Sequence, residues 1–126
     1  MERAIEMSKL LIVDDEIDVR EFAKRFFVKR GIDVFTASGG REALEVIAAD
    51  HPDLVLLDIQ MEEINGIDVL KKLRDDRNDI KVIMVTGAED PLIVKEANDL
   101  GVRGYIHKPL ILEELEKIVM NELRTV

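Results

Sequence analysis

The sequence contains no cysteine and no tryptophan, three prolines and a single tyrosine in 126 residues. Without cysteine there is neither a disulfide framework nor a thiolate metal site, so stability must come from a buried core. A chain of this length forms one domain and can bury a sizeable core unaided. No apolar run approaches the roughly 18 residues that a membrane span needs. The start, Met1-Glu2-Arg3-Ala4-Ile5-Glu6, lacks the apolar stretch of a signal peptide. The expectation is a cytoplasmic protein with no membrane contact. Positive charge is also scarce: 18 Lys and Arg stand against 27 Asp and Glu, a net charge of -9. Direct nucleic-acid binding, which draws its affinity from basic residues on phosphates, is disfavoured. The small basic clusters Lys24-Arg25, Lys29-Arg30 and Lys71-Lys72-Arg74 read as solvated helix faces.

Aliphatic residues are plentiful, in short blocks. The central one is Leu54-Val55-Leu56-Leu57-Asp58. A continuous apolar run of this length reads as a strand buried on both faces, as in a parallel sheet. The acid at its end then lies at the mouth of the crevice where open α/β sheets bind ligands. Lys9–Val13, Ile32–Ala37, Lys81–Val85 and Val102–His107 read as four further strands.

Helices are predicted between them. Val19, Phe22, Ala23, Phe26 and Phe27 form one apolar face, closed by Gly31. Ser38 is placed to cap a second helix with Ala43, Leu44, Ile47 and Ala48 inward, stopped at His51-Pro52. A third runs from Gly66 to about Asp75. Asp90-Pro91 opens a fourth, as an N-cap followed by proline at the first helical position. The last ends near Leu123, with Leu112, Leu115, Ile118, Val119 and Leu123 on one side. Five strand–helix repeats predict an α/β doubly wound parallel sheet, a three-layer α/β/α sandwich. The domain is expected over residues 9–124, after a polar lead-in at 1–8.

Polar residues stand at four of the predicted strand ends: Asp14 and Asp15, Asp58, Thr86, and Lys108. In the flavodoxin-like strand order 2-1-3-4-5, strands one and three are neighbours, so the three carboxylates converge and Thr86 and Lys108 flank Asp58. Converging carboxylates repel one another, and a hard divalent cation such as Mg²⁺ relieves the cost. A carboxylate beside such an ion can attack phosphorus, with Lys and Thr donating to the phosphoryl oxygens. Taken singly, each residue has a plainer reading: Asp14-Asp15 as a helix-capping pair, Thr86 as a strand-end hydroxyl, Lys108 as a surface lysine. Tyr105 reads equally as a half-buried strand residue or as a moving part. His51 and His107 are isolated and receive no role. No glycine-rich nucleotide loop is present.

Leu11-Ile12-Val13-Asp14-Asp15-Glu16, Leu56-Leu57-Asp58-Ile59, Val85-Thr86-Gly87-Ala88 and Tyr105-Ile106-His107-Lys108-Pro109, at these spacings, resemble the receiver domain of two-component response regulators, of the stand-alone chemotaxis-regulator kind. The resemblance extends from Lys9 to about Leu123. It implies that Asp58 accepts the phosphoryl group and that Asp14, Asp15, Asp58 and the backbone carbonyl of Gln60 hold Mg²⁺. It implies that Thr86 and Lys108 bind the phosphoryl group, and that Tyr105 is a switch residue turning inward on activation. It also implies a cis Lys108–Pro109 bond, which X-Pro chemistry permits. The protein is then a phosphoacceptor, not a conventional enzyme. Its partners would be a histidine kinase or histidine phosphotransferase and a downstream protein target, contacted through the fourth helix, fifth strand and fifth helix, where Leu92, Ile93, Val94 and Ala97 widen an apolar face. A monomer or weak homodimer is expected.

Two positions depart from the family pattern. Glu62 stands where the family usually has proline, beside Glu63, which predicts altered Mg²⁺ affinity or loop mobility. Gln60 and Ala88 occupy the positions that tune dephosphorylation in receivers. Ala88 cannot position an attacking water, which predicts a long-lived phosphoryl group. Two other readings stay open: a structural interaction module with the same fold, and the receiver portion of a longer regulator.

Overall fold

The structure is a computed structural model that describes residues 7–87 and 90–125. Five strands alternate with five helices: β1 (Lys9–Val13), α1 (Ile17–Val28), β2 (Asp33–Ala37), α2 (Gly40–Asp50), β3 (Leu54–Asp58), α3 (Gly66–Asp75), β4 (Lys81–Thr86), α4 (Pro91–Asp99), β5 (Gly104–His107) and α5 (Leu112–Arg124). All pairings are parallel and the sheet order is β2-β1-β3-β4-β5. β3 is central and every one of its residues is buried.

Side chains alternate across a strand, and here the alternation divides the core in two. Leu11, Val13, Val55, Leu57, Val82 and Met84 face α2, α3 and α4, packing with Ala43, Ile47, Leu70, Leu73 and Ala97. Leu10, Ile12, Leu54, Leu56, Ile83 and Val85 face α1 and α5, packing with Ala23, Phe27, Leu115, Val119 and Leu123. The continuous apolar runs of β1, β3 and β4 exist because each strand feeds both layers.

Local chemistry fixes the helix ends. Asn65 caps α3 by accepting from the Asp68 N–H at 2.9 Å, and Asp90 caps α4 by accepting from the Leu92 N–H at 2.9 Å. Gly31 and Gly101 follow α1 and α4 at φ 82° and 78°, the left-handed region that glycine enters freely. Among the described residues no helix is long and apolar enough to cross a membrane.

Four local expectations are corrected. The N-cap of α2 is Gly39, not Ser38, whose hydroxyl instead donates to Glu42 at 2.9 Å. The first helical bond runs from the Ala43 N–H to the Gly39 carbonyl at 3.0 Å, because the Ser38 side chain is engaged by the Glu42 carboxylate and does not cap a backbone N–H. Phe22, read as inward, is 53% exposed, and Ala48 also faces solvent. Arg74 is no solvated surface cation. Its guanidinium donates to the carbonyls of Leu100 (2.7 Å), Asn78 (2.8 Å) and Ile80 (3.0 Å), and burial holds its pKa below the usual arginine value.

Candidate functional site

The parallel sheet aligns the C-terminal ends of β1, β3, β4 and β5 along one edge. Val13 pairs with Leu57, Asp58 with Val85, and Thr86 with His107. Asp14 immediately follows β1 and Asp58 ends β3, so their carboxylates meet across the β1–β3 junction. Asp14, Asp58 and Thr86 are 3%, 2% and 3% exposed, a degree of burial that polar side chains reach only when paired.

Lys108 supplies the pairing. Its Nζ lies 2.9 Å from Asp58 Oδ2 and 3.3 Å from Asp14 Oδ2. The backbone holds it there, the Lys108 N–H donating to the Thr86 carbonyl at 2.8 Å. The Lys108–Pro109 bond is cis, as expected. The other Asp14 oxygen, Oδ1, accepts from the Glu16 N–H at 2.9 Å. Asp58 Oδ1 accepts from the Gln60 N–H at 3.1 Å, so each acid is anchored by the loop that follows its own strand.

The electrostatics follow from burial. Desolvation, assisted by the neighbouring Asp14 charge, raises the Asp58 pKa, and the hydrogen bond and charge of Lys108 only partly oppose it. Burial works to lower the Lys108 pKa, but its hydrogen bonds and charge interactions with Asp58 and Asp14 outweigh that and raise it. The pair is thus a carboxylate short of stabilisation beside a firmly protonated amine.

A second acidic feature borders the first. Carboxylate oxygens of Asp14, Asp15 and Glu16 all lie within 4.8 Å of one another, with Asp15 and Glu16 exposed. Glu16 had no expected role; it joins because the turn after β1 carries three acids in succession. This all-oxygen donor set suits a hard divalent cation that keeps part of its water shell. Asp15 also lines a cleft with Gly39, Arg41, Glu62 and Glu63. Glu63 takes φ 50°, and its carboxylate is 3.8 Å from the Arg41 Nε.

Gly66 is a residue whose role the sequence did not disclose. A Cβ on it would sit 2.5 Å from the Asp58 carbonyl oxygen and 2.9 Å from the Ile59 Cα. Its N–H donates to the Ile59 carbonyl at 2.9 Å. The first residue of α3 thus presses on the backbone that presents Asp58.

Tyr105 is half-buried in β5, and its hydroxyl donates to the Val94 carbonyl of α4 at 2.7 Å. Burial raises its pKa. It separates two surface grooves, one against α4 and one against α5. Of the apolar residues expected to widen the face of α4, Leu92 is exposed, Ile93 and Val94 are half-buried and Ala97 is in the core. Ala88 lies outside the described residues.

The sequence model of the response regulator receiver domain matches residues 10–120. Sporulation initiation phosphotransferase F of Bacillus subtilis is 33% identical over 115 residues, covering 91% of this chain and 93% of that protein. Regulatory protein AtoC of Escherichia coli is 38% identical over 118 residues, covering 94% of this chain but 26% of AtoC. Response regulator MprA of Mycolicibacterium vanbaalenii is 40% identical, and 46% of its length is covered. The chain therefore spans a quarter to a half of some curated relatives and nearly all of another. Among solved structures, a CheY-like response regulator receiver domain protein from Methanospirillum hungatei superposes with a TM-score of 0.88 at 28% identity, covering 94% of each chain. Chemotaxis protein CheY4 of Vibrio cholerae superposes at 0.85 with 29% identity, covering 91% of this chain and 98% of that one. With the family model matched over residues 10–120 and these superpositions beside it, this chain belongs to the response regulator receiver domain family, the phosphorylation-activated signalling switches of two-component systems.

Proposed function

We propose that this receiver takes its phosphoryl group on Asp58, from a phosphohistidine on a histidine kinase or histidine phosphotransferase. The observation that carries this reading is the placement of Lys108 Nζ, 2.9 Å from one Asp58 oxygen and 3.3 Å from Asp14. A buried carboxylate whose pKa is pushed up is a base and nucleophile held at a cost. An Asp58 oxygen attacks phosphorus, the P–N bond to the donor imidazole breaks, and the imidazole leaves with a proton from solvent. The product is a mixed carboxylic–phosphoric anhydride. Lys108, already protonated beside Asp58, neutralises phosphoryl oxygen charge as it develops, and the Thr86 hydroxyl is the second donor from the neighbouring strand end.

Asp14, Asp15, Asp58 and the Gln60 carbonyl are the proposed Mg²⁺ ligands, with Glu16 close enough to bind through water. When bound, the ion supplies charge neutralisation between acid and phosphoryl group. Arrival of the phosphoryl group adds about two negative charges. That draws Lys108 and Thr86 toward the group, and Tyr105 leaves its bond to Val94 for the space beside Thr86. The state is then read on the α4–β5–α5 face by a downstream protein. Gln60 and Ala88 at the dephosphorylation-tuning positions make the phosphoryl group long-lived, so any self-dephosphorylation is slow.

The test is intact mass after incubation with acetyl phosphate and Mg²⁺. One added phosphoryl group in the parent and none in Asp58→Asn is expected. Equal labelling of the two proteins overturns the assignment.

A further inference from the structure

We propose that Arg20 is a positioning residue of the site: it holds the peptide between Asp14 and Asp15 and so aims Asp15 at the divalent cation. The inference rests on the Mg²⁺ reading given above. Asp14 is held at every polar atom. Its N–H donates to the Ala37 carbonyl at 3.2 Å, Oδ1 accepts from the Glu16 N–H, Oδ2 faces Lys108, and its carbonyl accepts from the Arg20 guanidinium at 2.6 Å. Asp15 is the opposite case. It is exposed, and its side chain has no hydrogen bond or ion pair among the described residues. Yet its carboxylate lies within 4.8 Å of those of Asp14 and Glu16. Its direction is therefore set through its backbone. The Asp14 carbonyl shares one peptide plane with the Asp15 N and Cα, so a donor fixed on that carbonyl fixes the plane from which the Asp15 side chain departs.

Helix geometry brings Arg20 to this place. It lies in the first turn of α1, whose N-cap residue, Glu16, makes no side-chain cap bond. Side chains of a helix lean toward its N-terminus, so a long one in the first turn reaches past the helix start to the end of β1. A cation there opposes the helix dipole, and the carbonyl and the acids of the turn compensate it. Arg20 is half-buried and donates to backbone, although three carboxylates stand on the same turn. Two effects on an incoming ion then oppose each other. The arginine charge repels it. The bond to the carbonyl keeps the donor oxygens together before the ion arrives, which strengthens binding. The charge is screened by water and salt, whereas the bond is short and partly shielded, so orientation outweighs repulsion.

The experiment is calorimetric titration of the unphosphorylated full chain with Mg²⁺, comparing the parent with Arg20→Met, Arg20→Lys and Arg25→Met. Arg20→Met keeps the aliphatic stem and deletes the donor, and its dissociation constant is expected to rise about tenfold. Arg20→Lys returns a donor on a stem of similar reach and is expected to recover most of the loss. Arg25→Met removes the same charge from an exposed position further along α1 and is expected to bind as the parent does. With acetyl phosphate as donor, the Mg²⁺ concentration giving half-maximal phosphorylation of Arg20→Met should rise by the same factor, while the rate at saturating Mg²⁺ stays parental. That parental rate also shows that the variant is folded. Arg20→Met that binds Mg²⁺ like the parent, or more tightly, overturns the proposal. So does an equal loss in Arg20→Lys or Arg25→Met, or a fall in the saturating rate, which would assign Arg20 a general structural role. A parent that binds no Mg²⁺ overturns the metal reading itself and the proposal with it.

Discussion

Lys108 is the residue on which the site turns. It compensates two buried carboxylates from different strands at 2.9 and 3.3 Å, and removing it leaves both without their cation. Lys108→Ala is therefore expected to lower unfolding free energy by about 1–3 kcal/mol in metal-free buffer. Added Mg²⁺ takes over the compensation and returns most of that loss, as urea titrations with and without the ion will read. A loss unchanged by Mg²⁺ would show that the acids do not share an ion site. At this scale much was legible. Asp14, Asp58, Thr86 and Lys108 each end or follow an apolar run, and in a parallel sheet the ends of neighbouring strands converge. Gly66 and Arg74 were not legible, because their partners are backbone atoms and no side-chain pattern marks them.

Those two residues govern the elements that frame the site. Gly66 begins α3 against the Asp58 carbonyl, and Gly66→Ala forces a Cβ to 2.5 Å from that oxygen. Backbone on both sides leaves little room to relax, so a cost of about 1–3 kcal/mol is expected, together with slower phosphorylation as the β3–α3 loop shifts. Unchanged rate and stability would mean that the loop yields freely. Arg74 ties the end of α3 to the end of α4 through the Leu100 carbonyl and to the approach of β4 through Asn78 and Ile80. Arg74→Met keeps the aliphatic stem and deletes the donors. A loss of about 1–3 kcal/mol is expected by thermal or urea unfolding, and no loss would assign the guanidinium to solvent. Strand positions were readable because both faces of β1, β3 and β4 are apolar. The start of α2 was misplaced because Ser38 satisfies the usual capping pattern, while its hydroxyl is taken by the Glu42 side chain and Gly39 stands at the cap.

For the molecule as a whole, the buried acid is a cost that pH can tune. Its folded pKa lies above the ordinary aspartate value, so the folded state binds this proton more tightly than the unfolded state does. The stability this contributes is present at pH below the ordinary value and is lost as pH rises through the folded one. Asp58→Asn removes the titration, so in metal-free buffer the variant is expected to melt above the parent at neutral pH, with the gap closing on acidification. A gap that widens toward acid would mean that Asp58 is held below the ordinary aspartate value instead. The overall architecture was the most legible level, since five strand–helix repeats and right-handed crossovers leave few topologies. The outward turn of Phe22 was hidden, because helical periodicity alone assigns it to the core face.

The central claim is that phosphorylation forms an acyl phosphate on Asp58. The direct measurement is borohydride trapping after phosphorylation, which reduces an acyl phosphate to the alcohol, followed by peptide mass mapping. Homoserine at position 58, formed only with phosphodonor and Mg²⁺, is the predicted result. An unreduced Asp58 in a protein that has gained a phosphoryl group would contradict it, and would place the acceptor elsewhere.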